Sequence, residues 1–183
     1  MAKPIKLLLV EDSPDDADLL LAELRRAGFA PEWKRVDTEP DYLAEIENRP
    51  DVILSDYSMP QFSGLQAVKL LRERRLDIPF ILISGTVGED TAVEAMKHGA
   101  SDYLLKDRIV RLGNSINQAL AQKRLRDAGK RADDEILEQL HELRRWHEAT
   151  LGREDRILEL KREVNELLAQ QNQPPRYTSI KSS

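Results

Sequence analysis

The chain has 183 residues, no cysteine and a formal net charge of −5, which leaves room for one ordinary domain plus an extension and excludes disulfides, thiolate metal sites and thiol nucleophiles. Residues 1–109 carry 14 Lys and Arg against 21 Asp and Glu, and the remainder 14 against 12, a balance that argues against direct nucleic-acid contact. No secretory leader and no apolar run long enough to span a bilayer is seen, so a soluble, cytoplasmic protein with no membrane partner is expected.

Lys6–Val10 reads as a buried strand that runs straight into Glu11 and Asp12. Ser13 is placed to cap a helix with Pro14 at its first position; Ala17, Leu20, Leu21 and Leu24 recur at helical spacing, and Gly28 supplies the stop. Residues 31–36 form a weaker strand suited to an edge, and Asp41–Asn48 a short helix with Tyr42 and Ile46 inward. Val52–Leu54 is a third strand, ending in Asp56 and a Met-Pro loop. Gly64 opens a helix with Leu65, Val68 and Leu71 on one face, and Phe80–Ile83 is a fourth strand ending in Ser84. Glu89–His98 is predicted helical with Val93 and Met96 as the inward pair, Asp102–Leu105 is a fifth strand ending in Lys106, and a last helix begins near Arg108 with Ile109, Leu112, Ile116 and Leu120 aligned.

Five strands alternating with helices specify a doubly wound α/β sheet of the flavodoxin-like kind, with strand order 2-1-3-4-5. That order makes the first and third strands neighbours, so Asp12 and Asp56 would face one crevice with Ser84 and Lys106 on its rim. Three close carboxylates repel one another unless some protonate or a cation binds. Hard oxygen ligands with no His or Cys beside them point to Mg²⁺. With the ion bound, Asp56 stays ionised and can act as a nucleophile toward phosphorus, while Lys106 and the Ser84 hydroxyl stabilise charge on the transferring group.

The segments VED at 10–12, SDYSMPQFSG at 55–64, LISGT at 82–86 and DYLLK at 102–106 resemble the receiver domains of two-component response regulators, a resemblance covering roughly residues 4 to 125. It implies that Asp56 is the phosphoacceptor, with a histidine kinase or phosphotransfer protein as donor. It implies that Glu11 and Asp12 hold Mg²⁺ together with Asp56 and the Tyr57 backbone carbonyl. Ser84 would be the switch hydroxyl, Tyr103 the aromatic that swings inward, and Lys106 the phosphate-contacting lysine. A non-enzymatic signalling domain follows, limited to self-phosphorylation and slow autodephosphorylation. A metal-dependent phosphatase on a similar sheet generally wants a second Asp two residues after the nucleophile, where this chain has Ser58. One departure is Asp107 after the lysine, where the family usually has a cis proline. A cis bond before a non-proline residue costs about 2.5–4 kcal/mol, so the bond is either trans in a reshaped loop or held cis by strain.

Domain 1–126 is followed by a helical, coiled-coil-like extension over 127–172 and a flexible tail over 173–183. Ile136, Leu140, Leu143, His147 and Thr150 fall at alternating spacings of four and three, as do Ile157, Leu160, Val164 and Leu167 in a displaced frame. A helix break or a stammer is therefore expected near Gly152. The extension, similar to helical linkers of multidomain signalling kinases, suits either a parallel homodimer or an antiparallel hairpin. His141-Glu-Leu-Arg144 superficially resembles a histidine-kinase phosphoacceptor box, but a solvated helix histidine is the reading adopted.

Overall fold

A computed structural model describes residues 2–86 and 88–177. The first 105 residues alternate strand and helix as β1 (Lys3–Val10), α1 (Pro14–Arg26), β2 (Phe29–Val36), α2 (Glu39–Ile46), β3 (Val52–Asp56), α3 (Gly64–Glu73), β4 (Phe80–Ser84), α4 (Glu89–Lys97) and β5 (Asp102–Leu105). A short 3-10 turn, Lys106–Arg111, then leads into α5 (Leu112–Gln170). The strands form one parallel sheet in the order β2-β1-β3-β4-β5, so β2 is an edge as its polar residues suggest.

Strand alternation builds two apolar layers, because successive side chains point to opposite faces. Leu8 and Val10 of β1 join Ile53, Phe80 and Leu82 under α2 and α3, with Tyr42, Ile46, Val68 and Leu71 inward. Leu7 and Leu9 join Leu54, Ile81 and Ile83 on the other face, covered by Leu20, Leu21 and Leu24 of α1 and by Leu112 and Ile116 of α5. With both faces covered, the central strands carry near-continuous apolar runs.

The register brings the carboxyl ends together. Val10 pairs with Ser55, Asp56 with Ile83, and Ser84 with Leu105. Glu11, Asp56, Ser84 and Lys106 thus leave four neighbouring strands at one level, where open α/β sheets place their ligands.

Helix α4 departs from expectation. Val93 and Met96 are 53% and 49% exposed, whereas Ala95 is fully buried. The helix sits on the sheet through its small residues, and the row carrying the larger side chains is turned toward solvent. Residue size made Val93 and Met96 the obvious inward pair; close seating of the helix backbone favours alanine.

The chain divides into two compact units after Asp127. In the second unit α5 continues through Gly152 with no break, so of the break and the stammer expected there the break does not occur. A single glycine costs about 1 kcal/mol relative to alanine in a helix, and neighbours such as Leu151, Arg153 and Glu154 are good helix formers. Residues 128–170 are one helix, not an antiparallel helical hairpin. Ile136, Leu140, Leu143, Ile157, Leu160 and Leu167 are all exposed along it.

The helix ends with Asn172 in the left-handed region at φ 56°. The Gln173 N–H donates to the Leu168 carbonyl at 2.9 Å, the bond of a Schellman cap. Residues 176 and 177 then fold back. Both of their N–H groups donate to Asn165 Oδ1 at 2.9 and 3.1 Å, and Asn165 Nδ2 donates to the Tyr177 carbonyl at 2.8 Å. The tail expected to be flexible from 173 is therefore anchored as far as Tyr177; residues 178–183 lie outside the described residues.

Candidate functional site

The loop after β1 is a chain of local hydrogen bonds. The Ser13 N–H donates to Glu11 Oε1 at 3.1 Å, and Ser13 Oγ in turn accepts from the Asp16 N–H at 3.3 Å as the cap of α1. From β2, Arg35 Nη1 donates to the carbonyls of Glu11 at 2.9 Å and Asp12 at 3.2 Å. This arginine fixes the backbone of the acidic pair from the neighbouring strand.

At the end of β3, Asp56 is 8% exposed. Its Oδ1 accepts from the Ser58 N–H at 3.4 Å, and its Oδ2 accepts from Lys106 Nζ at 3.0 Å. The start of α3 lies close against it. A Cβ on Gly64 would stand 2.4 Å from the Asp56 carbonyl oxygen and 2.4 Å from Leu82 Cδ1, so this turn admits glycine for want of room.

Carboxylate oxygens of Glu11, Asp12 and Asp56 lie within 4.8 Å of one another. Glu11 is 1% exposed, and its Oε2 is buried without a hydrogen-bond partner, the Lys106 ammonium standing 3.7 Å away. An orphaned buried carboxylate oxygen is costly unless something completes it. Burial, reinforced by the charges of Asp56 and Asp16, pushes the Glu11 carboxyl up to about 7, against the opposing pull of the Ser13 N–H and Lys106. Three oxygen donors at this spacing, one of them unsatisfied, fit a hard divalent cation such as Mg²⁺, which takes one or two carboxylates and keeps its waters. Lys106 is ion-paired to Asp16 as well as Asp56. Burial works to lower its pKa, but the bonds to Asp16 and Asp56 and the charges of Asp56 and Glu11 outweigh it and hold the ammonium above its usual range.

Of the residues expected from the sequence, Glu11, Asp12, Asp56 and Lys106 are brought together. Ser84 stands at its strand end, but its hydroxyl closes on its own loop, donating to the Thr86 carbonyl at 3.1 Å and accepting from the Thr86 N–H at 3.3 Å. The Tyr103 hydroxyl donates to the same carbonyl at 3.0 Å. The Tyr57 carbonyl accepts from the Gly64 N–H at 3.2 Å, which engages it with the start of α3. The bond after Lys106 is trans, since no cis peptide occurs among the described residues; the 3-10 turn from Lys106 is the reshaped loop. Asp16 and Arg35 were missed. Asp16 reads in sequence as an ordinary first-turn acid of a helix, and Arg35 as one of several charges on an edge strand.

A sheet of this order with an acidic crevice opposite a lysine defines a receiver-type α/β domain. The family model for the response regulator receiver domain matches residues 7–117, and the chain belongs to that family. Phosphorylation on an aspartate and Mg²⁺ binding at an acidic pocket are general properties of its members. The luminescence regulatory protein LuxO of Vibrio campbellii is 33% identical over 121 residues, covering 63% of this chain and 26% of that protein. The C4-dicarboxylate transport transcriptional regulatory protein DctD of Pseudomonas aeruginosa is 31% identical over 172 residues, covering 90% of this chain and 35% of that protein. Among solved structures, the signal receiver domain of a putative Luxo repressor protein from Vibrio parahaemolyticus matches with TM-score 0.61 and 27% identity, covering 68% of this chain and 96% of that one. The chain thus spans about a quarter to a third of the length of these curated relatives. No helix among the described residues is long and apolar enough to cross a membrane.

Proposed function

We propose that the protein accepts a phosphoryl group on Asp56 from a histidine kinase or phosphotransfer protein, in a Mg²⁺-dependent step, and relays the change to its helical extension. The observation that carries this reading is the 3.0 Å contact of Lys106 with a nearly buried Asp56 beside the unsatisfied oxygen of Glu11. Glu11, Asp12 and Asp56 would hold the ion together with the Tyr57 carbonyl, whose bond from the Gly64 N–H uses one of its two lone pairs. Bound there, Mg²⁺ would supply positive charge against the oxygens of the transferring group.

The chain's own groups carry the remaining work. An Asp56 carboxylate oxygen attacks phosphorus, an O–P bond forms, and the P–N bond of the donor phosphohistidine breaks with the imidazole leaving. Lys106 stabilises the charge that gathers on the equatorial oxygens. The Ser84 hydroxyl turns from Thr86 to donate to a phosphoryl oxygen, and Tyr103, which shares the Thr86 carbonyl, is released to move inward. Hydrolysis reverses the state: water attacks phosphorus, the Asp56 O–P bond breaks, and inorganic phosphate leaves. The exposed apolar rows of α5 support a parallel homodimer as the element that receives the change.

Incubation with acetyl phosphate and Mg²⁺, read by intact mass, tests the reading. A gain of one phosphoryl group in the parent and none in Asp56→Asn is the expected result. No gain in either protein would make the chain a phosphate-independent interaction scaffold.

A further inference from the structure

Lys106 does not belong to Asp56 alone. Its ammonium is ion-paired with Asp16 Oδ2, lies 3.0 Å from Asp56 Oδ2, and is 3.7 Å from Glu11 Oε2. Asp16 sits on the first turn of α1, and its backbone N–H is held by Ser13 Oγ at 3.3 Å. Ser13 in turn holds Glu11 through a 3.1 Å bond to Oε1. One short loop therefore fixes both Glu11 of the acidic cluster and the carboxylate that grips the lysine from its outer side. An ammonium has three N–H groups and no preferred direction of its own, so the carboxylates around it decide where it points. The Asp16 carboxylate bonds to the Lys106 ammonium and through it is linked to Asp56.

We infer that Asp16 is a positioning residue for Lys106: it anchors one N–H of the ammonium so that the others stay aimed at Asp56 and at the group transferred there. The inference rests on the phosphoacceptor reading of Asp56. With Asp16 in place, the ammonium is already oriented when charge develops on the phosphoryl oxygens and need not reorganise. Without its anchor the lysine follows Asp56 and Glu11 alone, and its alignment with the transferring group is lost. The Asp16 carboxylate also adds negative charge near an incoming phosphoanion, so its removal weakens catalysis without weakening donor binding.

The test compares the parent chain with Asp16→Asn and Asp16→Glu, using acetyl phosphate as donor at saturating Mg²⁺. The maximal phosphorylation rate of Asp16→Asn should fall on the order of tenfold, as removal of a partner one layer behind a reacting group commonly does. Its half-saturating donor concentration should stay equal or drop, and Asp16→Glu should recover part of the rate. In the metal-free proteins, the Lys106 ¹⁵Nζ ammonium resonance should be sharp in the parent and broadened in Asp16→Asn, a readout that needs no phosphoryl transfer. A parental maximal rate in Asp16→Asn, or an unchanged Lys106 resonance, overturns the inference. A rise in half-saturating donor concentration at unchanged maximal rate also overturns it, since that would make Asp16 a donor-binding or structural group. If the parent itself takes no phosphoryl group, the reading of Asp56 fails, and the ammonium resonance still decides whether Asp16 positions Lys106.

Discussion

Lys106 Nζ stands 3.0 Å from Asp56 Oδ2 although fifty positions separate them in the chain. The contact exists because β3 and β5 flank β4 in parallel register and end at one level. A lysine among carboxylates offsets their repulsion and provides a cation against which a transferring phosphoryl group can be stabilised. Lys106→Ala should leave the fold intact, slow phosphorylation from acetyl phosphate on the order of 100-fold or more, and tighten Mg²⁺ binding by removing a like charge. Quench-flow kinetics read by intact mass and a calorimetric Mg²⁺ titration would check both. Unchanged kinetics would remove Lys106 from the reaction.

The pH dependence follows from Glu11. Its carboxyl is raised from 4.5 to about 7 in the metal-free protein, burial being the main cause. The folded state therefore binds more protons than the unfolded chain between those two values. This group's contribution to stability is full below the unfolded pKa and is lost as pH rises through the folded one. Mg²⁺ must displace that proton, so its apparent affinity should climb by up to about tenfold per pH unit below 7 and level off above. Calorimetric titration at several pH values should show that slope in the parent and a flat, weaker profile in Glu11→Gln.

Gly64 is the packing constraint behind the site. An added Cβ would meet the Asp56 carbonyl oxygen and Leu82 Cδ1 at 2.4 Å, and both belong to central strands that cannot yield easily. Gly64→Ala should lower unfolding free energy by about 1–3 kcal/mol, the usual range for overpacking a dense interior. Urea denaturation measures it. A neutral effect would show that the α3 start can shift without disturbing Asp56.

Arg35 holds the acidic loop from β2 through its bonds to the Glu11 and Asp12 carbonyls. It makes no side-chain contact with the carboxylates in that role, so its loss acts on their placement. Arg35→Ala should weaken Mg²⁺ affinity about tenfold, as outer-layer partners of metal ligands commonly do, with thermal stability little changed. Equal affinity in the two proteins would contradict this role.

Much of this arrangement can be read from sequence because buried parallel strands announce themselves as short apolar runs. Residues at their carboxyl ends, such as Asp56 and Lys106, can then be placed once the strand order is known. What escaped depends on partners distant in sequence. Nothing local distinguishes Asp16 from Asp15 until β5 delivers Lys106 beside it. Side-chain size favours Val93 and Met96 as the inward row of α4, while the seat on the sheet takes Ala95. Gly152 suggested a break that its helix-forming neighbours override. The Ser84 and Tyr103 hydroxyls were placed at the correct strands, but their shared acceptor, the Thr86 carbonyl, is a loop atom with no sequence signal.

The exposed rows of α5 carry their own prediction. Sedimentation should find the parent dimeric, and the double substitution Leu140→Glu with Leu143→Glu monomeric, because a charge at a helix seam opposes its partner directly. A parent that sediments as a monomer at high micromolar concentration would leave α5 without this role.

Chemical trapping of the acyl phosphate bears most directly on the central claim. After incubation with acetyl phosphate and Mg²⁺, borohydride reduction converts a phosphorylated aspartate to homoserine, which peptide mass spectrometry locates. Homoserine at position 56, dependent on both donor and Mg²⁺, is the predicted result. Homoserine at another aspartate, or at none while the protein remains folded, would contradict the account.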